Sequence, residues 1–205
     1  MRVLVACEFS GVVREAFRTK GHDAWSCDLL PAEDLSPRFA HHYVGDVREL
    51  LAGTTDGGPW DLMVAHPPCT FLANSANKHL WIDGKRANGR NEQRWRDMKA
   101  AATFFRELWA APIPRICIEN PVRGRNPGIH VNLKWTQTIQ PWQFGHGEIK
   151  RTCLWLKDLP KLVPTNIVEG RQPRVHHETP GPDRWKNRSR TLRGIAAAMA
   201  EQWGG

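Results

Sequence analysis

No run of apolar residues in the chain approaches the ~18 that a membrane-spanning helix requires. The apolar stretch at residues 3–7 is too short for the core of a secretion signal. Cysteine is sparse and irregular: five residues with no Cys-x-x-Cys pair argue against both a disulfide framework and a structural zinc site. The chain also lacks internal repeats and low-complexity tracts, and it has one tyrosine against ten tryptophans. These absences lead us to expect a soluble, cytoplasmic protein without a membrane or metal partner, folded as a single domain over residues 1–205. Any cysteine with a chemical role must then act as a thiol.

What is present is an uneven charge. Lys and Arg number 29 against 21 Asp and Glu, a formal charge of +8, which favours polyanionic partners. Residues 78–99 carry seven basic and three acidic side chains, residues 171–193 carry seven and two, and the remainder is close to neutral. Two local patches of this kind can flank a site for an anionic ligand, the plain alternative being a solvated surface. Arg184, Lys186, Arg188 and Arg190 are the candidates for phosphate contacts.

Along the chain, Val3-Leu4-Val5-Ala6-Cys7 is an apolar run suited to a buried parallel strand. After Glu8-Phe9-Ser10-Gly11 a helix begins. Val12, Val13, Ala16 and Phe17 form its apolar stripe, Arg14, Glu15, Arg18 and Lys20 its polar one, and Gly21 its C-cap. A second strand ends in Asp28, so strand, glycine turn, helix, strand and acid follow the order of a βαβ nucleotide-binding unit. A strand end at 43–47 carries Asp46, a helix-like turn follows over 47–51, and a strand over 60–65 stops at His66-Pro67-Pro68-Cys69. Two prolines end ladder pairing, which places Cys69 in a loop at a strand's carboxyl end, the ligand edge of an open α/β sheet.

Residues 70–90 read as a long loop, expected to be mobile, and 91–110 have helical spacing through Trp95, Met98, Ala102, Phe105 and Leu108. A buried strand over 115–118 ends at Glu119-Asn120-Pro121, and a polar connector follows. Segments 136–142 and 152–156 then read as strands pairing antiparallel at the sheet edge, 157–190 as irregular, and 195–203 as a closing helix. The expected fold class is α/β, a mixed and mostly parallel sheet with flanking helices.

Taken together, the glycine turn, the acids after the second and third strands, Pro-Pro-Cys after the fourth and Glu-Asn after the fifth resemble the cytosine-5 DNA methyltransferase family. The resemblance implies a Rossmann-like S-adenosylmethionine-dependent methyltransferase fold, S-adenosylmethionine as cofactor, DNA as substrate, and 5-methylcytosine as product. Phe9, Ser10, Gly11 and Val12 would hold the methionine part of the cofactor, Asp28 and Leu29 its ribose side, and Asp46 and Val47 its adenine, with Pro67 adjoining. Cys69 would be the nucleophile and Glu119 the carboxyl at nitrogen 3, with Pro68 and Asn120 beside the substrate. Residues 144–154 resemble the stretch that bears the family's Gln-x-Arg-x-Arg motif, and Lys150 and Arg151 supply its positive charge here. Small phage-encoded relatives are similar, which implies a phage or prophage origin.

The chemistry asks for these residue types. Carbon 5 of cytosine is a poor nucleophile, so a thiolate adds first at carbon 6 while a carboxyl stabilises charge at nitrogen 3. A base inside a duplex must also be flipped out, and the loop 70–90 is the candidate to close over it. Three departures from the family stand out: His66 where it has Gly, Thr70 where it has Gln, and Pro121 where Val is common. Residues 153–188 replace a whole target-recognition domain. Sequence selection is therefore expected to be minimal, supplied by a partner, or unnecessary because the substrate is a single strand, a free nucleotide or RNA. An exocyclic amino methyltransferase and a catalytically silent binding module are further alternatives. Cys7, Cys27, Cys117 and Cys153 read as buried thiols, and the pairs His41-His42 and His176-His177 as surface residues rather than metal ligands.

Overall fold

The computed structural model describes residues 1–33, 41–53, 57–175 and 177–205. Seven strands, β1 (Arg2–Ala6), β2 (Asp23–Asp28), β3 (His42–Val44), β4 (Leu62–Ala65), β5 (Arg115–Pro121), β6 (Gln137–Ile139) and β7 (Thr152–Lys157), make one sheet in the order β3-β2-β1-β4-β5-β7-β6. The first five are parallel, and β7 runs antiparallel between β5 and β6. Helices α1 (Val12–Thr19), α2 (Glu92–Ala110), α3 (Arg125–Val131), α4 (Arg184–Ser189) and α5 (Arg193–Trp203) complete the described elements. This sheet, with its reversed seventh strand and helices on both faces, is a Rossmann-like open α/β sheet.

The two layers follow from the period of two along each strand. Val3, Val5, Leu62, Val64, Cys117, Leu154 and Leu156 face α1 and α5, meeting Val13, Phe17, Ile195, Met199 and Trp203. Their alternates Leu4, Ala6, Met63, Ala65, Ile116, Ile118 and Trp155 face α2, meeting Ala102, Phe105 and Leu108. Full burial of a side chain such as Phe17 or Phe105 is worth about 1.5–3 kcal/mol. Helix α2 buries Trp95, Met98, Ala102, Phe105 and Leu108, the five positions that its spacing predicts.

Several elements differ from the sequence expectation. Arg14, assigned to the polar face of α1, is fully buried; its guanidinium donates to Ser26 Oγ at 2.8 Å and pairs with Glu15 at 3.0 Å, so the charge is compensated where it lies. Strand β5 continues through Glu119 and Asn120, because β7 pairs with it as far as Pro121 opposite Thr152. The polar connector contains α3, whose Pro127 and Gly128 hide a helix that ends in left-handed Asn132. Within 70–90 the backbone forms short 3-10 turns at Asn74–Leu80, Ile82–Gly84 and Arg86–Asn88, with Leu72, Ala76 and Leu80 buried. His42 is not a bare surface residue, since its ring nitrogens bond Ser26 Oγ at 2.8 Å and the Leu30 carbonyl at 2.9 Å. His176 lies outside the described residues.

The chain moves outward from β1 through β2 to β3, then returns to lay β4 against the other side of β1. The strand order therefore reverses between β1 and β4. In an open α/β sheet the ligand crevice lies outside the carboxyl ends of the strands at such a point, and here the segments that leave those ends are 7–11 and 66–69.

Candidate active site

The turn after β1 is organised by a carboxylate that the sequence does not flag. Glu8 is buried, and its oxygens accept the backbone N–H groups of Val13 at 2.7 Å and Arg14 at 3.2 Å. It thereby caps the first turn of α1, a task that the N-cap residue Gly11 has no side chain to perform. Gly11 itself sits at φ 70, the left-handed region where glycine carries no steric penalty. Burial raises the Glu8 carboxyl above its ordinary range, while His66, the two N–H groups and Arg14 oppose that rise. Phe9 is buried, and its ring lies 5.9 Å from that of the exposed Trp185 in α4. Ser10 and Val12 are half-buried beside it.

The next two strands lead to the two acids that the sequence singles out, Asp28 and Asp46. Asp28, half-buried at the end of β2, accepts from the Leu30 N–H at 3.0 Å, and burial raises its carboxyl. Leu29 is 75% exposed beside it. A partly desolvated carboxylate next to an exposed apolar side chain suits a ribose diol and the face of an adenine. Asp46 is committed within the chain: Arg48 donates to both its oxygens at 2.9 Å, through the backbone N–H and the guanidinium. The side chain of Val47 is buried in the core, so only its backbone faces outward from this turn.

On the other side of the switch point, the His66 N–H continues the sheet by donating to the Ala6 carbonyl at 2.9 Å. Pro67 is buried, Pro68 and Cys69 are exposed, and Cys69 is the exposed member of the five cysteines. Asn120 Nδ2 donates to the Pro67 carbonyl at 2.8 Å, tying the Pro-Pro-Cys loop to the Glu-Asn pair on β5. Glu119 Oε2 lies 3.2 Å from His66 Nδ1. Burial pushes the Glu119 carboxyl up, but the His66 hydrogen bond, the Lys150 charge and the Thr152 hydroxyl outweigh it and hold the group below its ordinary value.

Cys69 is an exposed residue whose thiol still feels its surroundings. Desolvation and then the charge of Glu119 raise its thiol, whereas Lys150 and Arg188 pull it down. The other four thiols are raised chiefly by burial, Cys27 to about 12.

The basic residues divide by partner. Lys150 Nζ donates to the carbonyls of Arg188 at 2.8 Å and Arg190 at 3.4 Å, strapping the end of α4 to the start of β7. Arg190 forms a two-pronged pair with Glu33 at 2.6 and 2.8 Å, Lys186 lies 3.5 Å from Asp183, and Arg184 donates to the Glu178 carbonyl at 2.8 Å. Arg188 weakly lowers the Cys69 thiol, and Arg151 is exposed. Sequence reasoning missed Glu8 as a cap and His66 as a partner of Glu119. The first was signalled by an acid just ahead of a glycine-started helix, the second by an ionisable residue immediately before Pro-Pro.

No family model matches the chain, and no curated protein matches it. Among solved structures it is similar to a protein assigned as a DNA modification methyltransferase and encoded within an E. coli prophage, at 13% identity and TM-score 0.47, covering 82% of this chain and 52% of that one. It is also similar to a mutant form of Spodoptera frugiperda DNMT2, at 12% identity and TM-score 0.39, covering 84% of this chain and 57% of that one. The chain thus spans about half the length of these structures. What the site can do is read from its own residues.

Proposed function

We propose that the protein transfers a methyl group from S-adenosylmethionine to carbon 5 of cytosine in DNA, through a covalent adduct at Cys69. The observation that carries this reading is the 2.8 Å bond from Asn120 to the Pro67 carbonyl, which holds an exposed thiol and a buried carboxyl at neighbouring strand ends. Bound against Phe9, Gly11, Asp28 and Leu29, S-adenosylmethionine supplies an electrophilic methyl group. Cys69 as thiolate adds to carbon 6 of the base, and Glu119 stands at nitrogen 3, where negative charge develops. Carbon 5 is thereby made nucleophilic. After methylation, loss of the carbon 5 proton and departure of the thiol restore the aromatic ring. Desolvation and Glu119 raise the Cys69 thiol, and Lys150 and Arg188 offset part of that rise.

The test is incubation with methyl-labelled S-adenosylmethionine and mixed-sequence DNA, single- and double-stranded, followed by nucleoside analysis. Label in 5-methylcytosine is expected from the wild type and none from Cys69→Ala. Label in N4-methylcytosine or N6-methyladenine, or label that survives Cys69→Ala, would overturn the reading. Parallel incubations with RNA and cytosine nucleotides decide the substrate, since residues 158–183 between β7 and α4 offer little for reading sequence.

A further inference from the structure

We propose that His66 and Glu119 share one proton and deliver it to the base, making His66 a positioning and proton-holding partner of the carboxyl. This inference rests on the reading of Cys69 and Glu119 as the reacting pair. It starts from geometry that such a pair does not by itself require. His66 leaves β4 and Glu119 lies in β5, neighbours in the sheet, and their side chains are 9% and 15% exposed. His66 Nδ1 and Glu119 Oε2 are 3.2 Å apart, so one of these atoms holds a proton between them. His66 Nε2 is buried with no hydrogen-bond partner among the described residues. A purely structural histidine would have both nitrogens satisfied, because an orphaned buried polar atom is costly.

The charged surroundings favour a proton on this pair. Glu8, in the turn after β1, interacts electrostatically with His66. The imidazole is therefore influenced by two buried carboxyls, one from the β1 side and one on β5. Lys150, ahead of β7, acts on Glu119, while Arg14 on α1 acts on Glu8. Cys69, three residues along the same loop, is raised by Glu119 and lowered by Lys150 and Arg188. In the proposed cycle the imidazole starts with the proton and Glu119, held below its ordinary value, starts ionised. When Cys69 sulfur bonds to carbon 6, the electron pair of the carbon 5–carbon 6 double bond is displaced and negative charge appears at nitrogen 3. The proton then passes from His66 Nδ1 to the carboxyl, and the carboxyl gives one to nitrogen 3, leaving neutral imidazole. When the carbon–sulfur bond breaks and the ring is restored, nitrogen 3 returns its proton and the dyad is reset. The dyad thus takes back the proton it gave, and the carbon 5 proton, lost as the thiolate departs, passes to solvent water.

Two measurements test the dyad. In protein labelled with 15N at histidine, the His66 ring is expected to lose its proton at a higher pH in the wild type than in Glu119→Gln, because the carboxylate partner is gone from the variant. Equal titration in the two proteins would overturn the proposal. In methyl transfer, His66→Gln keeps an N–H donor toward Glu119 but cannot titrate. It is expected to be at least about tenfold slower at neutral pH and to lose the alkaline fall in rate expected of the wild type. An unchanged rate and pH profile in His66→Gln would also overturn it. If the wild type methylates no cytosine substrate, the functional reading fails by itself, and the 15N titration still decides whether the shared proton exists.

Discussion

Glu8 and Glu119 are both carboxyls withdrawn from water at the same sheet edge, yet their surroundings drive them in opposite directions. Glu119 has a histidine, a lysine and a hydroxyl to favour its charge and is held below its ordinary value near 4.5, whereas burial dominates at Glu8 and raises it. The signs for stability follow from linkage. The depressed Glu119 contributes stability that is present above pH 4.5 and is lost as the pH falls through its folded value. The raised Glu8 contributes stability below pH 4.5 that is lost as the pH rises through its folded value. Unfolding by urea at pH 7 and pH 4 should therefore show a smaller acid-induced loss in Glu119→Gln than in the wild type, and a larger one in Glu8→Gln. Identical acid losses in all three proteins would contradict the assignment. At pH 7, Glu8→Gln should also cost about 0.5–2 kcal/mol as a weakened helix cap.

Among the elements, α5 packs on α1 and Phe144 closer than its sequence suggests, and the reason lies at its second residue. An added Cβ at Gly194 would stand 1.8 Å from the Phe144 carbonyl oxygen, and its N–H donates to His146 Nε2 at 2.9 Å. In an ordinary helix, glycine to alanine gains about 1 kcal/mol. Here Gly194→Ala should instead destabilise, by roughly 1–3 kcal/mol as for other overpacked sites, measured as the shift in urea midpoint. A stabilised variant would mean that α5 does not lie against Phe144. What was legible at this scale was whatever depends on local periodicity. The apolar runs of β1 and β4, the five core positions of α2, Asp28 at the end of β2 and Cys69 in the loop after β4 could all be read along the chain. What was not legible depends on partners distant in sequence. Glu119 and Asn120 belong to β5 because β7 pairs with them, α3 forms despite Pro127 and Gly128, and Arg14 is buried because Ser26 and Glu15 receive it. His66 next to Glu119 is of the same kind, a pairing across 53 residues.

At the scale of the whole molecule, the two basic segments approach the same thiol. Arg94 donates to the Thr70 carbonyl at 3.0 Å, next to Cys69, and Arg188 acts on Cys69 from the other segment. Between them the folded stretch 70–94 carries guanidinium groups seated on aromatic rings: Arg86 on Trp81 at 5.5 Å, Arg90 on Trp95 at 4.6 Å and Arg94 on Phe71 at 4.3 Å. Leu80, Trp95 and Met98 anchor this stretch to α2, and Trp95 Nε1 donates to the Leu80 carbonyl at 2.9 Å. Seated guanidiniums lose less freedom on meeting a phosphate than free ones, and they keep their charge beside the ring. The DNA binding that the proposed function requires should accordingly weaken steeply with salt, because each neutralised phosphate releases counterions. Lys85 and Arg86 are exposed. Their replacement together by Ala should lower the slope of log affinity against log salt by about 0.7–0.9 for each phosphate that is no longer neutralised. Fluorescence anisotropy with a labelled oligonucleotide across a salt series reads this slope. The same double variant should reduce affinity alike for oligonucleotides of different sequence, since phosphate contacts position a strand without reading its bases. A slope equal to that of the wild type would place the nucleic-acid path elsewhere, over residues 171–193 alone.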